Sequence, residues 1–331
     1  QVQRSGVALR TDTRMQATPA QLTYHRFGPS EVVRTPLVNI GREDRPPDAE
    51  GWDSDQSIGA FPLLAFSKIP VRVRFNDEAH TVLSPAVVAA PWGSSLYTRK
   101  PVAPEGQRTV WVIVRDDTLV RFASRFDPSA RERPDRPLGA LTAPVDPAAA
   151  VLARKIASYA FDGDRTPDPL LLEEAVLRIC DRSVRTAFES RGHAGALPRT
   201  PSPRARRQQL EAVNAACEHI CLNAGDSLSL AGISDAAELS PGYLCRVFRE
   251  HIGMSVHQYL TRVRVLGAVD ELPAWRGRLS ALARRRGFSS HAHLVTAFQR
   301  LLGVSPSQLS DTDARQWLAR ACPGRQALLR R

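Results

Sequence analysis

The sequence predicts an α+β protein of two domains: an antiparallel β-rich half that ends in two helices, and a C-terminal all-α half. Three observations support this prediction. Short β-rich runs fill the first third of the chain, two stretches of helical periodicity follow, and the last third contains one small helical pattern written twice. A length of 331 residues, 43% of them hydrophobic, is typical of a globular protein with room for two domains.

The β-rich half is predicted to begin at residue 23, after a polar N-terminus (1–22) that we expect to be loosely ordered. The predicted strands are Val32–Val38, Leu63–Phe66, Val71–Phe75, Thr81–Leu83, Ala86–Ala90 and Val110–Val114. Val71–Phe75 alternates apolar residues with Arg and then reverses through Asn76-Asp77, which predicts a hairpin. Many short antiparallel strands are typical of a sandwich or a barrel.

Two helices are predicted between residues 147 and 190, after a loop rich in Pro, Arg and Asp (127–146). The first is Pro147–Phe161. The second begins after the cap Asp168, with Pro169 at the first helical position. Its apolar stripe includes Leu172, Val176, Ile179, Val184 and Phe188. Such a stripe has to be buried, and both packing on the β domain and a homodimer interface satisfy this requirement.

The all-α half begins after a predicted linker (192–206) that has little apolar content. The first copy of the repeated pattern contains Leu230, Ile233, Leu239-Ser240, Leu244, Phe248 and Gly253-Met254-Ser255, and the second contains Leu279, Leu282, Phe288-Ser289, Leu294, Phe298 and Gly303-Val304-Ser305. The offset is 49 residues before the turn and 50 after it, so the second copy has one extra residue there. Each copy predicts a helix, a tight turn and a second helix, which is a helix-turn-helix unit.

The residues of both copies resemble the AraC/XylS family of bacterial transcriptional regulators. The matching phrases are Leu239-Ser240-Pro241-x-x-Leu244-x-Arg246-x-Phe248, Gly253-Met254-Ser255-x-x-x-Tyr259-x-x-x-x-Arg264, and Gly287-Phe288-Ser289 followed by Phe298 and Gly303-Val304-Ser305-Pro306. The resemblance covers a predicted DNA-binding domain at 207–310, which a basic tail (311–331) follows. It implies two helix-turn-helix units bridged by a long helix, here from Ser255 to Pro273. It also implies a cupin-like jelly roll for the β-rich half, serving as an effector or dimerisation domain.

The second helix of each unit is predicted to enter a DNA major groove, with its exposed N-terminal residues facing base edges. The outward residues of the first unit are Gly242, Cys245, Arg246 and Arg249. The family pattern places the first three of them near bases. Arg246 suits a bidentate contact to guanine, and a less selective phosphate contact is the alternative.

The second unit departs from the family pattern, because Thr296 stands where Arg is usual and Ala292 where a polar residue is usual. Its outward residues are His291, Ala292, Val295, Thr296, Gln299 and Arg300. Ala or Val can contact a thymine methyl group, but no strong guanine reader remains on the early turns. We therefore predict less base specificity here, with phosphate contacts from Arg300 and from the Arg run at 284–286.

Three charged residues outside the reading helices have open roles. Arg262 and Arg264 on the bridging helix are candidates for contacts with the DNA backbone, and a buried structural ion pair is the alternative for Arg264. Glu238 lies in the turn of the first unit, where a small residue is common. Its carboxylate is expected either to point away from DNA or to pair with an Arg.

The positive charge of the chain is concentrated where phosphate binding requires it. The net charge is +11, and the stretch from Arg204 to Arg331 contains 18 basic and 10 acidic residues. Five cysteines without paired spacing indicate a reducing compartment. Cys217 and Cys221 are expected to be small packing residues. A redox sensor using Cys217, Cys221 or Cys245 is a further hypothesis, which needs exposed thiols with lowered pKa values.

The β-rich half is predicted to bind a small-molecule effector rather than to catalyse a reaction. We find no nucleophile elbow, no phosphate-binding glycine loop and no cluster of metal ligands, so we expect no enzyme activity, metal or cofactor. The candidate pocket residues are Trp52, Phe61, Trp92, Tyr97, Arg99 and Trp111. The alternatives are that these aromatics are core and that the β domain binds a protein partner instead.

Together these patterns predict a sequence-specific transcription regulator that binds double-stranded DNA. The absence of an 18-residue apolar run and of an apolar signal core predicts no membrane partner and a cytoplasmic location. Family resemblance alone adds three expectations: activation rather than repression, a homodimer, and contact with RNA polymerase.

Overall fold

The computed structural model describes residues 23–27, 30–45, 63–67, 71–75, 78–82, 86–90, 96–98, 107–114, 117–134, 137–138, 142–144, 146–162, 166–193, 202–310 and 313–322. In these ranges, no helix combines the length and the apolar character that crossing a membrane requires. The predictions for residues 1–22 and for Trp52, Phe61, Trp92 and Arg99 lie outside the described residues.

The N-terminal strands form two antiparallel sheets. The strands are β1 (Thr23–Phe27), β2 (Ser30–Arg34), β3 (Val38–Arg45), β4 (Leu63–Ser67), β5 (Val71–Phe75), β6 (Glu78–Val82), β7 (Ala86–Ala90), β8 (Leu96–Thr98), β9 (Gln107–Val114) and β10 (Thr142–Pro144). One sheet has the order β1-β2-β3-β9-β4-β7-β10 and the other β6-β5-β8. The predicted hairpin is confirmed, because β5 and β6 pair with Phe75 opposite Glu78.

Some predicted elements differ from the observed ones. The single strand predicted at 32–38 is two strands, because the Thr35 N–H donates to the Val38 carbonyl (2.9 Å) and closes a turn. A helix that the sequence did not predict, α1 (Thr118–Ala123), follows β9. The predicted loop at 127–146 contains a 3-10 helix (Pro128–Glu132) and β10.

The two predicted helices are confirmed as α2 (Pro147–Phe161) and α3 (Pro169–His193). Side-chain oxygens cap both: the Ala149 N–H donates to Asp146 (2.7 Å) and the Leu170 N–H to Asp168 (2.9 Å). Both helices pack against the face of the larger sheet that carries residues such as Ile40.

The apolar stripe of α3 is buried within a single chain, which corrects its assignment to a dimer interface. Leu172, Val176, Ile179 and Val184 are fully buried in the core between the sheet and α2. They therefore offer no surface to a second chain. Phe188 is half-buried and stacks on Phe126, with a ring-centroid distance of 5.4 Å.

The C-terminal half is helical and contains both predicted helix-turn-helix units. Its helices are α4 (Pro203–Leu222), α5 (Leu230–Ala236), α6 (Pro241–Ile252), α7 (Val256–Glu271), α8 (Leu279–Arg285), α9 (His291–Leu302), α10 (Pro306–Ser310) and α11 (Ala314–Ala321), with a 3-10 helix (Leu272–Trp275) after α7. The first unit is α5 and α6, the second is α8 and α9, and α7 bridges them. Helix α4 begins inside the predicted linker, since Ser202 caps it and Pro203 starts it.

Matching local contacts build the two units. The turn of the first unit is closed by the Leu239 N–H donating to the Ser234 carbonyl (3.0 Å), and that of the second by the Phe288 N–H donating to the Ala283 carbonyl (2.9 Å). Ser290 caps α9, so Ser289 is the extra residue of the second copy.

The described residues form two separate hydrophobic cores, and the division between them passes through α7. Val256, Tyr259 and Leu260 pack into a core that belongs to α4, α5 and α6. From Val265 onwards, α7 packs into the larger core, which also contains the sheet, α2 and α3. The second unit thus shares a core with the N-terminal half, and the first unit does not.

The first turn contains a strained residue whose replacement we expect to stabilise the protein. Glu238 has a φ of 54°, whereas the equivalent position of the second unit is Gly287. A left-handed conformation costs a non-glycine residue about 1–2 kcal/mol, and glycine loses about 0.5–1 kcal/mol of backbone entropy on folding. Glu238→Gly should therefore raise the free energy of unfolding by about 0.5–1 kcal/mol, measured by urea denaturation.

The control for this prediction is Ala236→Gly, at an exposed helical position two residues earlier. It should lower stability by about 1 kcal/mol, because its backbone gains nothing from glycine. A loss of stability in Glu238→Gly as large as in the control would contradict the strain argument.

Candidate nucleic-acid interface

The predicted reading helix of the first unit exposes one polar face. Gly242, Cys245, Arg246 and Arg249 are all exposed, and Leu244, Val247 and Phe248 are fully buried on the other side. Ser240 and Pro241 begin this helix and Gly253, with a φ of 75°, ends it. The outward set predicted from the sequence therefore lies together on one surface.

Arg246 lies along its own helix in the described structure. Its guanidinium stacks on the Tyr243 ring, 4.8 Å from the centroid, and lies 3.6 Å from a carboxylate oxygen of Glu250. Tyr243 is itself held by the Gln209 amide, which donates to the tyrosine hydroxyl (3.0 Å). The Arg246 side chain remains 57% exposed. Its exposed ion pair contributes little stability, so the guanidinium can exchange this partner for a base or a phosphate.

The second reading helix, α9, has the same form. His291, Ala292, Thr296, Gln299 and Arg300 are exposed and Val295 is half-buried. Leu294 and Phe298 anchor the other side. The N-terminal turns of the helix carry no exposed arginine, so their polar contacts are limited to His291 and Thr296.

Three of the arginines that were predicted to contact phosphate are paired with a carboxylate or buried. Arg285 and Arg286 both donate to the Glu271 carboxylate, at 3.0 and 2.6 Å. Arg286 is also largely buried, so its predicted phosphate contact is corrected to a structural ion pair. Burial lowers the pKa of Arg262, which lies near Asp146 and Arg300 rather than at an open surface. Arg284 remains exposed at the end of α8.

Arg264 donates to backbone carbonyls, and no ion pair of Arg264 occurs among the residues that the structure describes. Its Nε donates to the Ala224 carbonyl (2.7 Å) and its Nη2 to the Asp226 carbonyl (2.9 Å). Burial lowers its pKa. Glu238 is exposed, and no described ion pair includes it, so the predicted pairing with an Arg is not seen in these residues; its orientation relative to DNA stays a prediction.

Only part of the predicted effector pocket lies in the described residues. Tyr97 is on β8. Trp111 is half-buried on β9, opposite Gly41 of β3, and a Cβ atom at Gly41 would lie 1.9 Å from the indole. The indole therefore lies on the sheet face that points away from α2 and α3. No group of three or more metal-ligating side chains occurs in the ranges that the structure describes.

The cysteines of α4 do not meet the requirement for redox sensing. Cys217 is fully buried and burial raises its pKa well above the ordinary value, and burial raises the pKa of Cys221 to about 12. Cys221 lies 3.7 Å from the Tyr259 hydroxyl. The expectation that these two are packing residues agrees with their place in the core of the first unit. Cys245 is exposed.

We expect one thiol per folded chain, Cys245, to react with an aromatic disulfide reagent at pH 8. A thiol is unreactive while it is protonated. Burial raises the pKa of Cys221 to about 12, so little of this thiol is ionised at pH 8. Cys245→Ser should abolish fast labelling, and unfolding in urea should release the other four thiols. Fast labelling of two or more thiols in the folded protein would contradict this burial.

The comparisons with known proteins agree with the tandem units. A helix-turn-helix domain family matches residues 233–312. The chain is 34% identical over 92 residues to the transcriptional activator AarP of Providencia stuartii, covering 27% of this chain and 68% of that protein. It is 34% identical over 76 residues to an uncharacterized regulator of Haemophilus influenzae and 32% identical over 80 residues to a putative AraC-like regulator of Streptomyces lividans. These matches cover 23% and 24% of this chain but only 26% of each relative.

Among solved structures, ToxT from Vibrio cholerae O395 aligns with 82% of this chain and 95% of its own, at 9% identity and a TM-score of 0.29. The C-terminal domain of AraT from Geobacillus stearothermophilus aligns with 33% of this chain and 85% of its own, at 27% identity and a TM-score of 0.27.

Two helix-turn-helix units bridged by one helix, each with an exposed polar reading face, define a tandem helix-turn-helix protein. The matched relatives are named as transcriptional regulators and not as enzymes. The chain belongs to the AraC/XylS family of transcriptional regulators, which confirms the resemblance seen in its residues.

Proposed function

We propose that this protein activates transcription by binding an asymmetric operator through α6 and α9, each in one of two successive major-groove segments about 34 Å apart. The observation that carries this proposal is the paired geometry of the two units. Both place an amphipathic helix after the same hydrogen-bonded turn, with apolar anchors buried and polar residues exposed. A chance helical bundle has no reason to repeat an exposed face together with its turn.

The test is selection of bound fragments from genomic DNA by the full chain. Enrichment of one bipartite motif is expected. The same selection at several salt concentrations separates specific binding from the general attraction of a basic surface to phosphate. Uniform, salt-sensitive recovery of all fragments would contradict a sequence-specific regulator.

The two units are proposed to contribute unequally to base specificity, because the early turns of α9 carry no side chain suited to reading guanine. We expect Thr296→Arg to increase affinity or to create a preference for guanine in the second segment, by about 1–3 kcal/mol where a guanine is present. Thr296 is exposed, so the longer side chain fits. Gln299→Arg, one turn further along α9, is the control for added charge alone. A Thr296→Arg variant with unchanged affinity and preference would contradict the proposed docking of α9.

The N-terminal half is proposed to be a cupin-like jelly roll that binds a small polar effector and supports a homodimer. Two features of the sheet face that carries Trp111 support effector binding. Arg34 pairs with Asn39 across β2 and β3 on this face, and the Arg34 Nε and Asn39 Oδ1 are buried without a hydrogen-bond partner in the part of the chain that the structure describes. A ligand with one acceptor and one donor would satisfy both atoms.

Effector binding predicts a rise in melting temperature with small carboxylates or hydroxy acids, and Asn39→Ala should reduce that rise. If no small polar compound changes the melting temperature, the rival reading, in which the β domain binds a protein partner, gains support. Activation is proposed to proceed through contact with RNA polymerase, which a run-off transcription assay on the selected operator would test.

A further inference from the structure

Arg264 joins the two helix-turn-helix units at the point where their cores separate. It lies on α7 between Val263, which is partly buried against the smaller core, and Val265, the first α7 residue of the larger core. In the part of the chain that the structure describes, the two units therefore belong to different apolar cores. The polar contacts around α7 help to set their relative position.

The Arg264 guanidinium binds the first unit through the loop that follows α4. Nε donates to the Ala224 carbonyl (2.7 Å) and Nη2 to the Asp226 carbonyl (2.9 Å). Ala224 itself is buried in the smaller core. A planar guanidinium that donates to two carbonyls in a fixed geometry orients the loop more strictly than a single point charge can.

The same guanidinium touches the turn of the second unit. A Cβ atom at Gly287 would lie 2.6 Å from Arg264 Nη2 and 2.8 Å from the Ala224 carbonyl oxygen. A second close approach lies beside it, because a Cβ atom at Gly225 would lie 2.7 Å from the Arg285 carbonyl oxygen. The backbones of the two units thus meet directly, with Arg264 held between them and no space for a side chain.

We propose that Arg264 is a positioning residue that fixes the second reading helix relative to the first, and so sets the spacing between the two DNA segments that the protein accepts. This inference rests on the proposed function. In this proposal Arg264 acts through its contacts with the two units rather than through a contact with DNA. One added base pair moves the second segment by about 3.4 Å and rotates it by about 35°. We call the contact of Arg264 with the Ala224–Asp226 loop and Gly287 the joint. A rigid joint would make the protein reject the altered spacing, and a loosened joint would let it tolerate that spacing.

The experiment measures the dissociation constants of the full chain for the selected operator and for versions with one base pair inserted or deleted between the two segments. For the wild-type protein we expect a penalty of at least about tenfold, comparable to that of a mismatched base pair. Arg264→Met and Gly225→Ala should reduce the penalty to about threefold or less. Gly225 has no left-handed φ, so this substitution opens the joint while the Arg264 side chain is retained.

Gly232→Ala is the matched control, since it adds a methyl group in the same unit with only an ordinary contact, 3.4 Å from Ser229 Oγ. It should keep the wild-type penalty. Loss of stability alone would change the melting temperature but not the ratio of the two dissociation constants. The proposal would be overturned if Arg264→Met and Gly225→Ala both kept the wild-type ratio of the two dissociation constants. It would also be overturned if Arg264→Lys kept that ratio, because a single ammonium group would then serve as well as the guanidinium.

The outcomes also separate this inference from the proposed function. A wild-type protein that selects no motif refutes the operator and the joint together. A wild-type protein that selects a bipartite motif but tolerates altered spacing as well as the variants do refutes the joint alone.

Discussion

Arg246→Ala is expected to weaken binding to the selected operator by about 5- to 150-fold, the equivalent of about 1–3 kcal/mol, and to relax the base preference at one position. The side chain is exposed on α6, where it contacts the Tyr243 ring and forms a 3.6 Å pair with Glu250. These partners are weak enough to be exchanged for the two acceptors of a guanine. The measurement is a titration of operator variants that differ at single positions, made at two salt concentrations.

Arg207→Ala is the control, because Arg207 is an exposed arginine of α4 outside both reading helices. It removes the same charge and should change affinity equally for all sequences, if at all. The alternative for Arg246 is a phosphate contact. In that case its loss would weaken binding to every sequence alike and lower the salt slope by about one, and the base-reading prediction would be wrong.

The second large effect concerns stability: Phe248→Ala and Phe298→Ala should destabilise different parts of the chain. Both side chains are fully buried at equivalent positions of the two reading helices. Phe248 packs edge-on to Tyr259, at 5.4 Å between ring centroids, in the smaller core. Phe298 lies in the core that includes the sheet, α2 and α3. Each substitution should cost about 3–5 kcal/mol within its own core.

Tryptophan fluorescence separates the two effects. The five tryptophans of the sequence are Trp52, Trp92, Trp111, Trp275 and Trp317, and the first unit contains none of them. Phe298→Ala should therefore lower the midpoint of the fluorescence transition, and Phe248→Ala should leave that midpoint unchanged while lowering the midpoint of the helix signal in circular dichroism. A single transition that both variants shift equally would show that the two cores unfold as one.

The contacts of α2 with α7 and α10, the helices on either side of the second unit, strengthen this expectation. Arg154 on α2 pairs with Asp270 on α7 at 2.9 Å, and Lys155 Nζ donates to the Leu309 carbonyl at 3.4 Å. Leu318 of α11 is fully buried in the same core as α2 and α3. The interdomain linker at 192–206 remains a prediction. The boundary between the two hydrophobic cores lies elsewhere, within α7.

The sequence by itself determined the local features of this protein. Ser255 caps the bridging helix, Pro169 begins α3, and the pairs Leu244/Phe248 and Leu294/Phe298 mark the buried sides of the reading helices. Each depends on residues three or four positions apart, so periodicity and capping chemistry are sufficient to find them. The short helix at Thr118–Ala123 was missed because six residues are too few to show a period.

The tertiary structure alone decided which surfaces meet. An amphipathic stripe shows that a helix face must be buried but not what covers it, so the α3 stripe allowed a dimer until Leu172 and Val176 were seen in the core of one chain. Arg264 looked like a contact with DNA or one half of an ion pair, and its partners are instead carbonyl groups 38 and 40 residues away. Backbone carbonyls have no signature in the sequence. Contacts of that kind depend on how distant segments pack together, and no local pattern records them.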